Sequence, residues 1–231
     1  MTDARSRRLW ILCGLFGVGV ILFVVWFGGV IPNRTCSGPL PAGVSALLAY
    51  QLSRTPADIE AVFGAAGDPC RAAMVAAMDR ANTVDLAGFI ATYGAFLAFF
   101  FLAFRQMGAG LVARIGLLAV VAAVAFDVLE TSTQLRITAE LPGSAAALTL
   151  LAIGSRGKFL GLGVVCLCAG VAMFARGKTI GRIAGAACIV GGVMVVAGLA
   201  AAPLRAALSA GNALAWLVML LYAVAAGARR A

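Results

Sequence analysis

Histidine is missing from all 231 residues, and charge of either sign is scarce, at 12% of the chain. Without imidazole there can be no bis-His haem, His-rich zinc site, metzincin-type hydrolase centre or Ser-His-Asp triad. A soluble domain carries roughly a quarter charged residues. The deficit, beside 63% hydrophobic residues, excludes a water-soluble globule and places the chain in the membrane class. Lysine is nearly absent as well: Lys158 and Lys178 are the only two, against 16 arginines. With abundant alanine, this bias fits a GC-rich bacterial genome and an inner (plasma) membrane location. The net charge of +9 is no sign of a nucleic-acid partner, because the basic residues flank apolar runs and form no continuous patch. There is no Asp-rich metal motif and no evident nucleophile–base pair. No cofactor or metal is expected, and an enzyme is the least favoured class.

What the chain does have is long apolar runs. A helix needs about 20 apolar residues to cross ~30 Å of hydrocarbon, and runs at about 9–31, 86–104, 111–131, 159–175, 179–202 and 207–226 qualify. The expected fold is all-α: a single polytopic membrane domain over 1–231 with six transmembrane helices. A small helical extracytoplasmic segment, 32–85, lies between the first and second. Trp10 and Trp26, near the ends of the first run, look like interfacial anchors. That run is longer than a signal peptide's 7–15 apolar residues and no A-x-A-like site follows, so it reads as an uncleaved span.

The basic residues set the orientation. Arg5, Arg7, Arg8, Arg105, Arg114, Arg176, Lys178, Arg182, Arg229 and Arg230 fall on one side, with Asp3 the lone acid there. The 32–85 segment instead sets Asp58, Glu60, Asp68, Asp79 and Asp85 against Arg34, Arg54, Arg71 and Arg80. Both termini are therefore expected in the cytoplasm.

Within the outer segment, Thr55-Pro56-Ala57-Asp58 is a helix start, with a capping threonine, proline in the first turn and an acid three residues after the cap. Asp68-Pro69 reads as a second start. Val44, Leu47, Leu48 and Leu52 give 44–54 one apolar face, suited to lying on the bundle or the lipid surface. Cys36 and Cys70 both sit on the oxidising side, where a disulfide is favoured over two free thiols. Cys13, Cys166, Cys168 and Cys188 lie in spans and read as small packing residues.

Charges inside spans are hypotheses about a site, because burying them in lipid costs about 2.5–3.5 kcal/mol each even on lenient scales. Counting helix rise from Arg114 puts Asp127 about 20 Å and Glu130 about 24 Å across the third span. Counting back from Arg176 puts Lys158 about 27 Å across the fourth. All three thus share the outer third of the bilayer, and the acids, at i and i+3, face the same way. Arg156 lies just above. Asp85 and Tyr93 on the second span, and Asn212 on the sixth, fall at similar heights. These seven residues form the candidate ligand-binding set. Against that stand two plainer readings: side chains reaching for headgroups or water, and an inert structural ion pair between Asp127 and Lys158 or Arg156.

From Ser144 to Arg176 a continuous helix would be ~50 Å long. A break near Gly154 or Gly157 is therefore one expectation, and a long tilted helix the other. Gly181-x-x-x-Gly185 marks the fifth span as a close-packing helix.

The order of these features resembles an uncharacterised family of polytopic bacterial membrane proteins. The matching positions are the Thr55-Pro56 helix start, Asp85 opening a span that carries Tyr93, Asp127-x-x-Glu130 in the next, and Lys158 in the one after. The likeness runs from about Leu9 to Ala175, and Thr131 stands where that pattern has asparagine, which weakens any hydrogen-bonding role there. It implies no known activity. Three function classes follow. The first binds or transports a small cationic, protonated or lipid-headgroup ligand. The second is an accessory or assembly subunit with membrane-protein partners, in which the charges form a structural network. The third, a membrane-embedded enzyme, is less favoured.

Overall fold

The computed structural model describes residues 2–228; Arg229 and Arg230, two of the residues that set the expected orientation, lie outside the described residues. The chain has an all-α, polytopic membrane fold, with six helices long and apolar enough to span a bilayer. The first is α1 (Thr2–Val30). A short cap follows: a two-residue hairpin of β1 (Arg34–Thr35) and β2 (Gly38–Pro39), then α2 (Ala46–Gln51) and α3 (Pro56–Phe63). The second long helix is built from α4 (Arg71–Val84), a π-helical turn over Asp85–Phe89, and α5 (Ile90–Gln106). Four more complete the bundle: α6 (Gly110–Ala139), α7 (Ala145–Arg176), α8 (Thr179–Ala200) and α9 (Arg205–Ala228).

Each long helix packs on its neighbours in sequence, and α1 closes the ring against α9. The outward faces are apolar and uncovered by protein, with Leu22, Val25, Leu111, Leu118, Val121, Ile180 and Leu221 all exposed. Lipid hydrocarbon can cover such a surface without loss. Glycine sets the closest approaches, as the fifth span's glycines led one to expect. A Cβ at Gly185 would meet the Gly170 carbonyl at 2.6 Å, and one at Gly191 the Gly211 carbonyl at 2.6 Å. The glycines of α8 therefore serve packing inside the bundle.

The cap starts as its sequence says. Thr55 accepts from the Asp58 amide at 3.2 Å and Asp58 accepts from the Thr55 amide at 2.9 Å, a complete capping box. Asp68-Pro69 behaves differently. Asp68 accepts from the Cys70 amide at 2.8 Å in a turn, and the helix begins only at Arg71, without a side-chain cap. A disulfide joins Cys36 to Cys70 and fastens the hairpin to the head of α4.

Two expectations fail here. Trp10 is no interfacial anchor; it is 4% exposed and stacks edge-on against Phe100, Phe104 and Tyr222 inside the bundle. Nor does α7 break. Its extra turns, like those of α6, rise past the bundle as walls for the cap: Ile137, Leu148 and Leu151 share a core with Tyr50, Ile59, Phe63, Met74 and Met78. Burial of that second core is why about 48 Å of continuous helix is worth keeping.

Candidate functional site

The site begins with glycines. On α7, Gly154, Gly157 and Gly161 turn toward α6. A Cβ at Gly154 would sit 2.9 Å from the Glu130 backbone, one at Gly157 would collide with the Phe126 ring, and one at Gly161 would press on Ala123. With no side chains between them, the two helices meet at the level of the acids. Lys158, beside this stripe, is only 5% exposed. Its Nζ lies 2.7 Å from Glu130 Oε2 and 3.1 Å from Asp127 Oδ1. Glu130 is fully buried, and its other oxygen accepts from Gln134 Nε2 at 3.3 Å. Asp127 Oδ2 accepts from the Tyr93 hydroxyl at 2.8 Å. Asp127, Glu130, Lys158 and Tyr93 thus form one connected, buried network.

The second long helix adds a ladder against α6. Thr138 donates to Asp79 at 2.6 Å, Thr131 to Asp85 at 2.8 Å, and Tyr93 to Asp127 as above. In a pure α-helix Asp85 and Tyr93 would be roughly 80° out of phase. The π turn between them, in which the Ile90 amide bonds the Asp85 carbonyl, absorbs one residue. The pair then behaves as if seven apart, about 20° out of phase, and both meet α6.

Beside this network is a cavity of about 150 Å³, lined among others by Asn82, Asp85, Asp127, Lys158, Phe27 and Phe89. The cap lies over it. Leu47 and Gln51 line the cavity, Tyr50 donates to the Gln134 carbonyl at 2.6 Å, and Ser155 donates to the Gln51 carbonyl at 2.6 Å. Burial first, and then the nearby Asp79 and Glu130 carboxylates, push the Tyr50 pKa well above the usual phenol range. It therefore stays a donor.

Electrostatically the site is unbalanced. Lys158 is shared by Asp127 and Glu130, and Asp85, on the cavity wall, accepts from the Thr131 hydroxyl and feels the same ammonium at longer range. Three carboxyl groups thus share the neighbourhood of one ammonium beside the cavity.

Two candidate residues do not belong. Arg156 is exposed: two residues from Lys158 on a helix, it points away from it. It lies instead near Arg54, whose pKa is lowered by burial and then by Arg156 and Arg205. Asn212 is half-buried, with its side-chain oxygen 4.0 Å from Cys166 Sγ. That is two turns, about 12 Å, along α7 from Lys158 toward the other end.

Sequence reasoning also missed Asn82, Gln134 and Gln51, and mistook Thr131, which holds the hydrogen-bonding place on Asp85. The i, i+3, i+6 spacing of Asp79, Asn82 and Asp85 was the available signal for the first. No family model, curated protein or solved structure matches this chain.

Proposed function

We propose that this is a binding or transport protein of the inner membrane. Its carboxylate-rich cluster, under an extracytoplasmic cap, holds a small cation or exchanges it for protons. The observation that carries the reading is the excess of carboxylate over ammonium beside a cavity. Asp85, on the cavity wall, is in neither of the Lys158 ion pairs and adds a third carboxyl group to the cluster. Orientation supports access from outside, since the arginine-rich ends of the bundle lie away from the cap and belong in the cytoplasm by the positive-inside rule.

The test uses purified protein in detergent, with sodium, potassium and ammonium chloride added at several pH values. One of these salts is expected to raise the melting temperature and release protons into a weakly buffered solution. Asp127→Asn should remove both effects. Salts that leave the melting temperature and proton balance unchanged would refute the reading.

The second reading, an accessory subunit with a structural ion network, has one specific observation behind it. Lys158, Tyr93 and Gln134 between them satisfy Asp127 and Glu130. It predicts that charge-neutral substitutions alter co-purifying membrane partners and leave the salt response untouched.

A further inference from the structure

Away from the carboxylates, the seam between α1 and α9 holds an apolar groove of about 350 Å³. Ile11, Leu15 and Val18 line it and are exposed, while Gly14, Ala223 and Gly227 form a buried floor. These glycines differ from those of α8. A Cβ at Gly14 would meet Val224 at 3.6 Å and one at Gly227 would meet Ile11 at 3.5 Å, both ordinary van der Waals contacts. Alanine would fit at either position and is the better helix former. Close packing therefore does not call for glycine here; its effect is to keep the groove deep.

Arginine stands at one end of the groove. Arg7 and Arg8 precede Ile11 by four and three residues, so they continue the same face of α1 by one turn. Both are exposed, and helical side chains tilt toward the N-terminus, here away from the apolar stretch. Arg7 Nε donates to the Gly227 carbonyl at 3.2 Å, which fixes its guanidinium at the mouth of the groove. Among the described residues neither arginine has a carboxylate partner, and α9 contains no acid.

Size and charge together choose the occupant. A methylene fills about the 30 Å³ of a water molecule, so the groove takes about a dozen, most of one acyl tail. Over residues 11–18 it runs about 10 Å along α1, within the ~15 Å depth of one leaflet. A protein helix is too thick: two turns of a cylinder 10–12 Å across occupy on the order of 1,000 Å³. A tail alone gains little by entering, because the surrounding lipid is equally apolar. Preference has to come from the headgroup, and two guanidiniums without carboxylates select a net-negative one, with its phosphate as a forked partner. A zwitterionic headgroup carries its own cation beside the phosphate and gains less.

We infer that the α1–α9 groove binds an anionic phospholipid, with one acyl tail along residues 11–18 and the phosphate on Arg7 and Arg8.

Trp10 lines the groove and serves as the reporter. The full-length protein carrying Trp26→Phe and Trp216→Phe is placed in dioleoylphosphatidylcholine vesicles. Tail-brominated lipid, a short-range quencher of indole fluorescence, is then titrated in. Brominated phosphatidylglycerol is expected to reach Trp10 at least about tenfold more favourably than brominated phosphatidylcholine, as two arginines at the membrane surface allow. Arg7→Gln with Arg8→Gln should bring the two lipids level. Arg114→Gln, at the same end of the bundle, should leave the preference intact. Gly14→Leu, which puts a side chain into the groove, should cut quenching by both lipids. Equal quenching by the two lipids in the parent overturns the inference, and so does an equal loss of preference in Arg114→Gln, which would mean general surface charge. Quenching by neither lipid also overturns it and gives the groove to a protein partner. Should the tryptophan variant not fold, native mass spectrometry of the unaltered chain with the two unbrominated lipids reads the same ratio, and a ratio near one overturns the inference.

Discussion

Removing Lys158 should expose how much of the bundle depends on charge balance. In Lys158→Met the side chain keeps its length and its packing beside the glycine stripe, but the ammonium between Glu130 at 2.7 Å and Asp127 at 3.1 Å is gone. Breaking a buried pair from one side costs about 3–5 kcal/mol, because the other charge stays buried without a partner. Here two carboxylates are stranded by one change. Tyr93 and Gln134 still donate to them, so the lower figure, about 3 kcal/mol, is the better expectation. For a chain of this size that lowers the melting temperature by about 6–12 °C.

The molecule supplies its own reporter. Cys13, Cys166 and Cys188 are buried free thiols, so a thiol-reactive fluorophore lights up as the bundle opens. The triple variant Lys158→Met, Asp127→Asn, Glu130→Gln should regain at least half of the loss, since neutral replacement of a buried ionic cluster is often close to cost-free. If Lys158→Met melts within about 2 °C of the parent, the two acids do not rely on that ammonium and the electrostatic account of the site is wrong.

Other perturbations probe the parts around it. Asp85→Asn should be neutral or slightly stabilising in the same thermal assay, because the amide oxygen can still accept from Thr131 and one of three clustered carboxyl groups is removed; a loss of several degrees would mark the Asp85 charge as structural. Gly154→Ala places a methyl 2.9 Å from the Glu130 backbone, and should destabilise by about 1–3 kcal/mol through overpacking, read as a lower melting temperature. Replacing Cys36 and Cys70 with serine opens a loop with a sequence separation of 34, worth about 3–4 kcal/mol on the chain-entropy model. Limited trypsin digestion at Arg54 and Arg71 should then accelerate. Asp58 responds to acid. Burial raises its pKa, but hydrogen bonds from the Arg54 and Thr55 amides and the Thr55 hydroxyl outweigh that, and Arg205 adds to them, so the net direction is down. A lowered folded-state pKa stabilises above the unfolded value of about 3.9 and is lost as the pH falls through the folded one. Hydrogen exchange in α3 should therefore quicken only below about pH 4.

How much of this could be read beforehand follows from which rules the residues obey. Span number and class came from apolar run length, which depends on composition alone. The height of Asp127, Glu130 and Lys158 came from a fixed rise per residue, and their meeting needed only that the third and fourth spans be neighbours. The failures are failures of azimuth. Arg156 and Asn212 were admitted for their height, yet height says nothing of the direction a side chain takes around its helix. The supposed break at Gly154 and Gly157 took glycine for a helix breaker where it is a contact residue, with Glu130 and Phe126 in the space a side chain would fill.

The π turn explains the rest. A count at 3.6 residues per turn assigns Asp85 and Tyr93 to different faces, so Asp85 reads as a residue opening a span and Tyr93 as a separate polar residue within it. One extra residue in the turn at Asp85–Phe89 brings both onto α6 and sets Asn82, Asp85 and Phe89 along one cavity wall. π turns in long helices give up a well-made hydrogen bond and tend to occur where function demands it. In this chain the geometric gain is visible. Without the turn, Tyr93 could not reach Asp127 while Asp85 kept Thr131, and the third carboxylate would leave the cluster. The cluster of three carboxyl groups, and with it the proposed cation site, depends on that single irregular turn.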